Sequence, residues 1–128
     1  METVIIAAPS GVNVEDLIEK IPKKFLIQKQ TDYRYLISYK SDHCWIEHDD
    51  SLKFDYEDEE LAIVTKNIHS PIFFCCEFSE MNFGKEVLSC IADNEKYLID
   101  NDHNHIELGN RFVKRIKEEP NWDWRLSK

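Results

Sequence analysis

The apolar run Val4 to Ala8 stops at Pro9, Ser10 and Gly11, the pattern of a buried strand that ends in a turn. Val14, Leu17, Ile18 and Ile21 then recur at the spacing of one helical face. Asn13 is placed to cap that helix, Asp16 sits near its positive end, and Pro22 stops it. Phe25 to Gln30 and Tyr33 to Tyr39 are rich in aromatic and β-branched residues and flank Thr31 and Asp32, which predicts a hairpin. His43 to Glu47 predicts one more strand. In the next segment Leu52, Phe54 and Tyr56 alternate with Lys53, Asp55 and Glu57, as in a half-buried strand with the three apolar residues facing a core.

Between residues 58 and 68 two signals compete. Asp58, Glu59 and Glu60 suit a helix N-terminus, Leu61, Val64 and Ile68 keep helical spacing, and Lys66 and His69 fall near the other end, so a helix is expected although Ile63, Val64 and Thr65 are β-branched. Ile72 to Phe78 is so uniformly apolar and aromatic that it predicts a strand in the middle of a sheet. Ser79 is expected to cap a helix whose Phe83, Val87, Leu88 and Ile91 share one face. A short strand at Lys96 to Ile99 and a last helix carrying Leu108, Phe112, Val113 and Ile116 complete the pattern, and Pro120 ends that helix.

About six strands and three or four helices without strict βαβ alternation predict an α+β fold, a mainly antiparallel sheet packed with helices. The length of 128 residues fits a single domain spanning residues 1–128. With 42% hydrophobic residues, 3 Gly and 4 Pro, the chain is neither disordered nor low-complexity. Cys44, Cys75, Cys76 and Cys90 have no CxxC spacing, and neighbours such as Cys75 and Cys76 point to opposite faces of a strand, so reduced thiols in apolar surroundings are expected rather than a disulfide or a zinc site. The opening residues lack the basic region and length of a secretory signal, and no stretch approaches the ~20 apolar residues of a membrane span. A cytoplasmic location is the expectation.

Charge changes the picture most. Residues 47–60 hold Glu47, Asp49, Asp50, Asp55, Glu57, Asp58, Glu59 and Glu60 against Lys53 alone, which places −7 of the chain's net −9 in one segment; residues 20–40 carry +5. A general nucleic-acid or anionic-membrane binder is disfavoured, and a partner with a basic surface is favoured. A solvated strand edge and helix start would carry the same charges. Phe54 and Tyr56 are assigned to the core by their alternation, which leaves Trp45 as the aromatic candidate for a contact beside these carboxylates.

A second constellation is Asp100, Asn101, Asp102, His103, Asn104 and His105. The position that a calcium loop reserves for Gly holds His105 and the twelfth position is Arg111, so an EF-hand is rejected. His103 and His105 with Asp100 or Asp102 would suit a small metal-dependent enzyme, but an HxH pair without further ligands is better read as a polar turn between a strand and a helix. No nucleophile elbow, cysteine-protease signature or glycine-rich phosphate loop is present, so neither catalysis nor a cofactor is expected. Trp122 and Trp124, beyond the last helix, are expected to fold back onto the core; a symmetric contact in a homo-oligomeric adaptor is the alternative.

A small, acidic α+β chain of this size resembles the immunity proteins of bacterial contact-dependent inhibition and related polymorphic toxin systems. The local likeness runs from Ile72 to Trp124: a strand, a helix, the Asp100-Asn101-Asp102 turn, and a last helix before Trp122 and Trp124. It covers under half of the chain and rests on no defining motif, so no residue role carries over. The resemblance implies a stoichiometric inhibitor that binds a cognate toxin domain, often a nuclease, and blocks its active site or substrate surface.

Overall fold

The computed structural model describes residues 1–126. Its strands are β1 (Glu2–Ala8), β2 (Leu26–Thr31), β3 (Arg34–Tyr39), β4 (Asp42–His48), β5 (Ile72–Phe78), β6 (Leu98–Asp100) and β7 (Ile106–Leu108). Its helices are α1 (Val14–Ile18), α2 (Asp58–Asn67), α3 (Met81–Ile91) and α4 (Gly109–Glu118), with 3-10 helices at Asp50–Asp55 and Trp124–Leu126. The strands make one sheet in the order β2-β3-β4-β5-β1-β6-β7, antiparallel at every pairing. The chain is thus α+β, and β5 lies in the middle of the sheet.

β1 and β5 pair along their whole lengths, from Glu2 opposite Phe78 to Ala8 opposite Ile72. Both are near-continuous apolar runs because both faces above them are covered. On one face Val4, Ile6, Ile37, Ile46, Phe74 and Phe78 meet Leu17 of α1, Val87, Leu88 and Ile91 of α3, and Phe112 and Val113 of α4. On the other, Ile5, Ala7, Phe73 and Leu98 lie beneath Val64 of α2 and its C-cap residue Ile68, with Leu52 and Tyr56 closing the margin. That second layer does not extend over β3 and β4, where Leu36, Ser38, Trp45 and Glu47 stay half-exposed. All four residues expected on the inner face of α3 are buried.

The indole of Trp124 plugs the larger core. It is fully buried, with its ring 6.0 Å from Phe78 and 5.8 Å from Phe112. Gly84 of α3 makes the space: a Cβ there would stand 2.8 Å from Cγ of Phe78 and 3.0 Å from the Trp124 ring. Trp122 packs on Phe112 at 4.9 Å, with the Arg115 guanidinium 4.3 Å from its ring centre on a T-shaped aromatic pair. The tail therefore folds back, as expected, and the buried Trp124 indole leaves no paired-tryptophan surface for the adaptor reading.

Three expectations are corrected. Residues 52–56 are not a strand. The Asp49 carboxylate accepts hydrogen bonds from the Ser51 amide at 3.0 Å and the Ser51 hydroxyl, and this turn starts a 3-10 helix instead. Leu52 and Tyr56, four residues apart, lean onto the smaller core, whereas Phe54 is 78% exposed with the Lys53 ammonium 5.1 Å from its ring centre. Ser79 does not cap α3. Its hydroxyl accepts the His43 amide at 2.9 Å, and the Glu80 carboxylate takes the Phe83 amide at 2.9 Å as the cap. The polar turn at 101–105 joins two strands rather than a strand and a helix, because Ile106 to Leu108 pair with β6 before α4 begins. Leu108 is the last residue of β7 and the N-cap position of α4.

Trp124→Ala is expected to cost about 3–5 kcal/mol of folding stability, the range for emptying a large buried aromatic site, read as a lowered urea midpoint with an unchanged slope. An unchanged midpoint would show that the indole does not close the core.

Candidate functional site: an acidic cleft

The residues of the acidic segment do different jobs. Glu47, on β4, pairs with Arg34 on the adjacent strand at 2.8 Å. Asp49 is spent on the Ser51 turn. Asp50 accepts from His48 Nε2 at 2.9 Å and from the Phe73 amide at 3.3 Å, which ties the 3-10 helix to β5. Trp45 lies on the half-exposed side of β4, its ring 5.9 Å from that of His43, and does not line the cleft described next. Of the expected contact residues 45–60, Trp45 thus lies apart from the cleft lining, and Glu47, Asp49 and Asp50 are engaged in intramolecular bonds.

The second half is different. Glu57 occupies the N-cap position of α2 in a capping box with Glu60, so Asp58, Glu59 and Glu60 crowd the first turn, where the helix dipole favours negative charge. The β6–β7 loop comes up beside them. Asp55 and Glu60 then face Asp100, Asp102 and Asn104 across a cleft of about 190 Å³, with Ile5, Leu52 and Tyr56 as its apolar lining. Among the described residues none of Asp55, Glu57, Asp58, Glu59, Glu60, Asp100 and Asp102 forms an ion pair with Lys, Arg or His. Sequence reasoning treated Asp100 and Asp102 as part of a separate turn. Only the pairing of β7 with β6 turns that loop toward α2, and a three-residue strand leaves little periodic signal.

The loop is held from inside. The Asn101 side chain is fully buried; its Oδ1 accepts from the amides of His103 at 2.8 Å and His105 at 3.1 Å, and its Nδ2 donates to the carbonyl of Trp124. Asp102 and Asn104 adopt left-handed backbone, φ 63° and 67°, which short polar side chains tolerate better than most. Asp100 accepts the Asp102 amide at 2.8 Å and is 7% exposed. Burial pushes its carboxyl above the usual 3.8, and the charges on Asp102 and Glu60 act in the same direction. Beside it the Tyr56 hydroxyl is buried without a well-formed hydrogen bond among the described residues, and burial together with the Asp100 charge raises its pKa as well.

The metal reading of 100–105 finds no such convergence. His105 Nε2 is bonded to Glu107 at 2.6 Å, His103 is exposed, and no group of three or more His, Cys, Asp or Glu among the described residues is placed to hold a metal ion. The four cysteines are free, and burial raises the Cys75 thiol to about 11 and those of Cys44 and Cys76 further, opposite to what a nucleophile needs. Among the described residues no helix is long and apolar enough to cross a membrane. Comparison with protein-family models, with curated proteins and with solved structures finds no match. What the cleft offers chemically is a concentrated negative potential with an apolar floor, suited to the ammonium or guanidinium end of a long side chain whose stem packs on Leu52 and Tyr56.

Asp100 holds its proton more tightly folded than unfolded, so its contribution favours the fold below pH 3.8 and is lost as pH rises through its raised folded pKa. Asp100→Asn keeps an acceptor for the Asp102 amide and cannot ionise. Its urea midpoint is expected to exceed that of the wild type at pH 7, with the gain shrinking as pH falls toward 4; a gain independent of pH would show that ionisation is not the cause.

Proposed function

We propose that this protein is a cytoplasmic immunity protein that binds and neutralises a cognate toxin domain through its acidic cleft. The observation that carries the reading is the meeting of Asp55 and Glu60 with Asp100 and Asp102 from a distant part of the chain, with no basic partner of their own. Like charges gathered on one surface repel one another, and although Glu60 caps α2 and Asp100 holds the Asp102 amide, no basic side chain of the described residues offsets that repulsion. A basic partner converts that repulsion into attraction and is steered toward the site before contact. A toxin nuclease must hold a phosphate backbone in a basic groove, and the carboxylates of this cleft present the same sign of charge as the backbone they would displace.

Among the described residues Asp55, Asp58, Glu59 and Asp102 have neither an ion pair nor a capping role, whereas Glu57 and Glu60 also cap α2 and Glu47 pairs with Arg34, so the test uses Asp55, Glu59 and Asp102. The test begins with the reading frame beside this one, expressed in bacteria with and without this chain. The neighbour alone is expected to arrest growth and this chain to restore it. The triple variant Asp55→Lys, Glu59→Lys, Asp102→Asn is expected to slow association with the neighbour's toxin domain by about tenfold or more at low salt, with the gap narrowing at high salt, while remaining folded by circular dichroism. A harmless neighbour, or a variant that associates as fast as the wild type, would sink the proposal.

A further inference from the structure

The sheet has two open edges, and they differ. Every residue of β2 is exposed, its pairing slips between Lys29 and Thr31, and Lys29 sits on it, features that discourage an added strand. β7 carries neither bulge, Lys nor Pro. The bonds from the Asn101 amide to the His105 carbonyl, 3.0 Å, and from the Gly109 amide to the Tyr97 carbonyl, 2.8 Å, bracket the pair Ile99–Glu107. By the alternation of antiparallel ladders, Glu107 bonds inward to β6, so the peptide groups of Ile106 and the amide of Leu108 face the open edge, while the Leu108 carbonyl, at the N-cap, starts the hydrogen-bond ladder of α4.

That edge is the floor of a groove. A recess of about 460 Å³ lies along it, with Ile63 and Asn67 of α2 on one wall and Arg111 and Arg115 of α4 on the other. The recess beyond it, about 400 Å³, shares Ile63, His105 and Ile106 and ends at Glu57, Glu59 and Glu60. Ile63 is 49% exposed over the middle. The groove therefore runs from carboxylates at one end, past Ile63, Ile106 and the His105–Glu107 pair, to Arg111, which has no ion pair among the described residues. A donor and acceptor row beside a helix is the arrangement by which an extended peptide joins a sheet, main-chain bonds supplying affinity and the flanking walls supplying selectivity.

We propose that the β7 edge is a strand-addition site for a short extended segment of the partner protein, basic where it meets Glu57, Glu59 and Glu60 and acidic where it meets Arg111. The inference rests on the acidic-cleft reading, because Glu60 and Asn104 line both the cleft and the carboxylate end of the groove. It adds the form in which the partner is received.

Leu108 allows a clean test. Its φ of −59° already suits proline, and its amide is turned outward, so Leu108→Pro removes a donor and sets a ring in the path of an added strand without touching the bonds to β6. Ile63→Lys obstructs the same groove from the helix surface and serves should the proline variant fail to fold. The probe is a synthetic eight-residue peptide with two Lys at one end, alternating Val and Thr, and two Glu at the other, followed by amide NMR shifts. Binding is expected to move the resonances of Ile63, Ile106 and Leu108. Either variant is expected to weaken it about tenfold or more, the loss of roughly one hydrogen bond and its neighbouring contacts, and N-methylating alternate peptide amides to abolish it. No binding at millimolar peptide, shifts confined to β2, or wild-type affinity in both variants would overturn the proposal; so would concentration-dependent dimerisation through β7, which would give the edge to a second copy. If the toxin domain binds the wild type and Leu108→Pro equally well, the edge proposal fails and the acidic cleft stands. If the triple charge variant binds the toxin domain as well as the wild type does while Leu108→Pro and Ile63→Lys do not, the cleft reading fails and with it the basic polarity assigned to the segment.

Discussion

The fully buried amide of Asn101 does two things at once: it gathers the backbone of the β6–β7 loop around its oxygen and gives its nitrogen to the carbonyl of Trp124. A buried side-chain amide left unbonded would be costly, so the loop conformation and the docking of the tail are conditions for each other. The position of Asp102 depends on that arrangement, and Asp100 precedes it in the strand. The negative cleft is thus built on a polar core contact rather than on the carboxylates themselves, which have no intramolecular reason to meet.

The same economy separates the two halves of the acidic segment. Glu47, Asp49 and Asp50 sit where the chain leaves β4, turns and crosses toward β5, and each has backbone or side-chain donors within reach. Residues 55–60 have only the N-terminal turn of α2, whose dipole and capping box tolerate more negative charge than most surfaces do. Helix geometry keeps these carboxylates hydrated and together. The basic residues of positions 20–40 do not neutralise them: Lys24 pairs with Glu86, Lys29 with Asp32, and Arg34 with Glu47.

Much of the architecture was legible because burial imposes period. The apolar runs of β1 and β5 and the faces of α3 and α4 were found where the side chains repeat over two turns or more, or over a whole strand, whereas α1 ends at Ile18, short of the Ile21 that its spacing included. Short elements failed for a shared reason. Leu52, Phe54 and Tyr56 satisfy a strand for five residues, but a local Asp49–Ser51 hydrogen-bond turn outweighs so brief a pattern and Phe54 ends in water. Ile106 and Leu108 are as consistent with the start of α4 as with a strand, and only the register with Leu98 and Asp100 decides. The cleft inherits that limit: the carboxylates of α2 were visible as a charge run, whereas Asp100 and Asp102 join them through a pairing that no local window contains. The four-residue offset of Leu52 and Tyr56 was the one local sign that both belong to the cleft's floor.

The order in which the chain is made bears on how this sheet is completed. β1 is synthesised first, yet it lies between β5 and β6, whose residues follow some seventy to ninety-five positions later. The β2–β3–β4 meander finds its partners in neighbouring sequence and is free to assemble early, while Val4 to Ala8 must wait with both edges unsatisfied. A chain interrupted before residue 72 lacks both neighbours of β1, which leaves an apolar strand with two unpaired edges, the condition under which chains associate with one another.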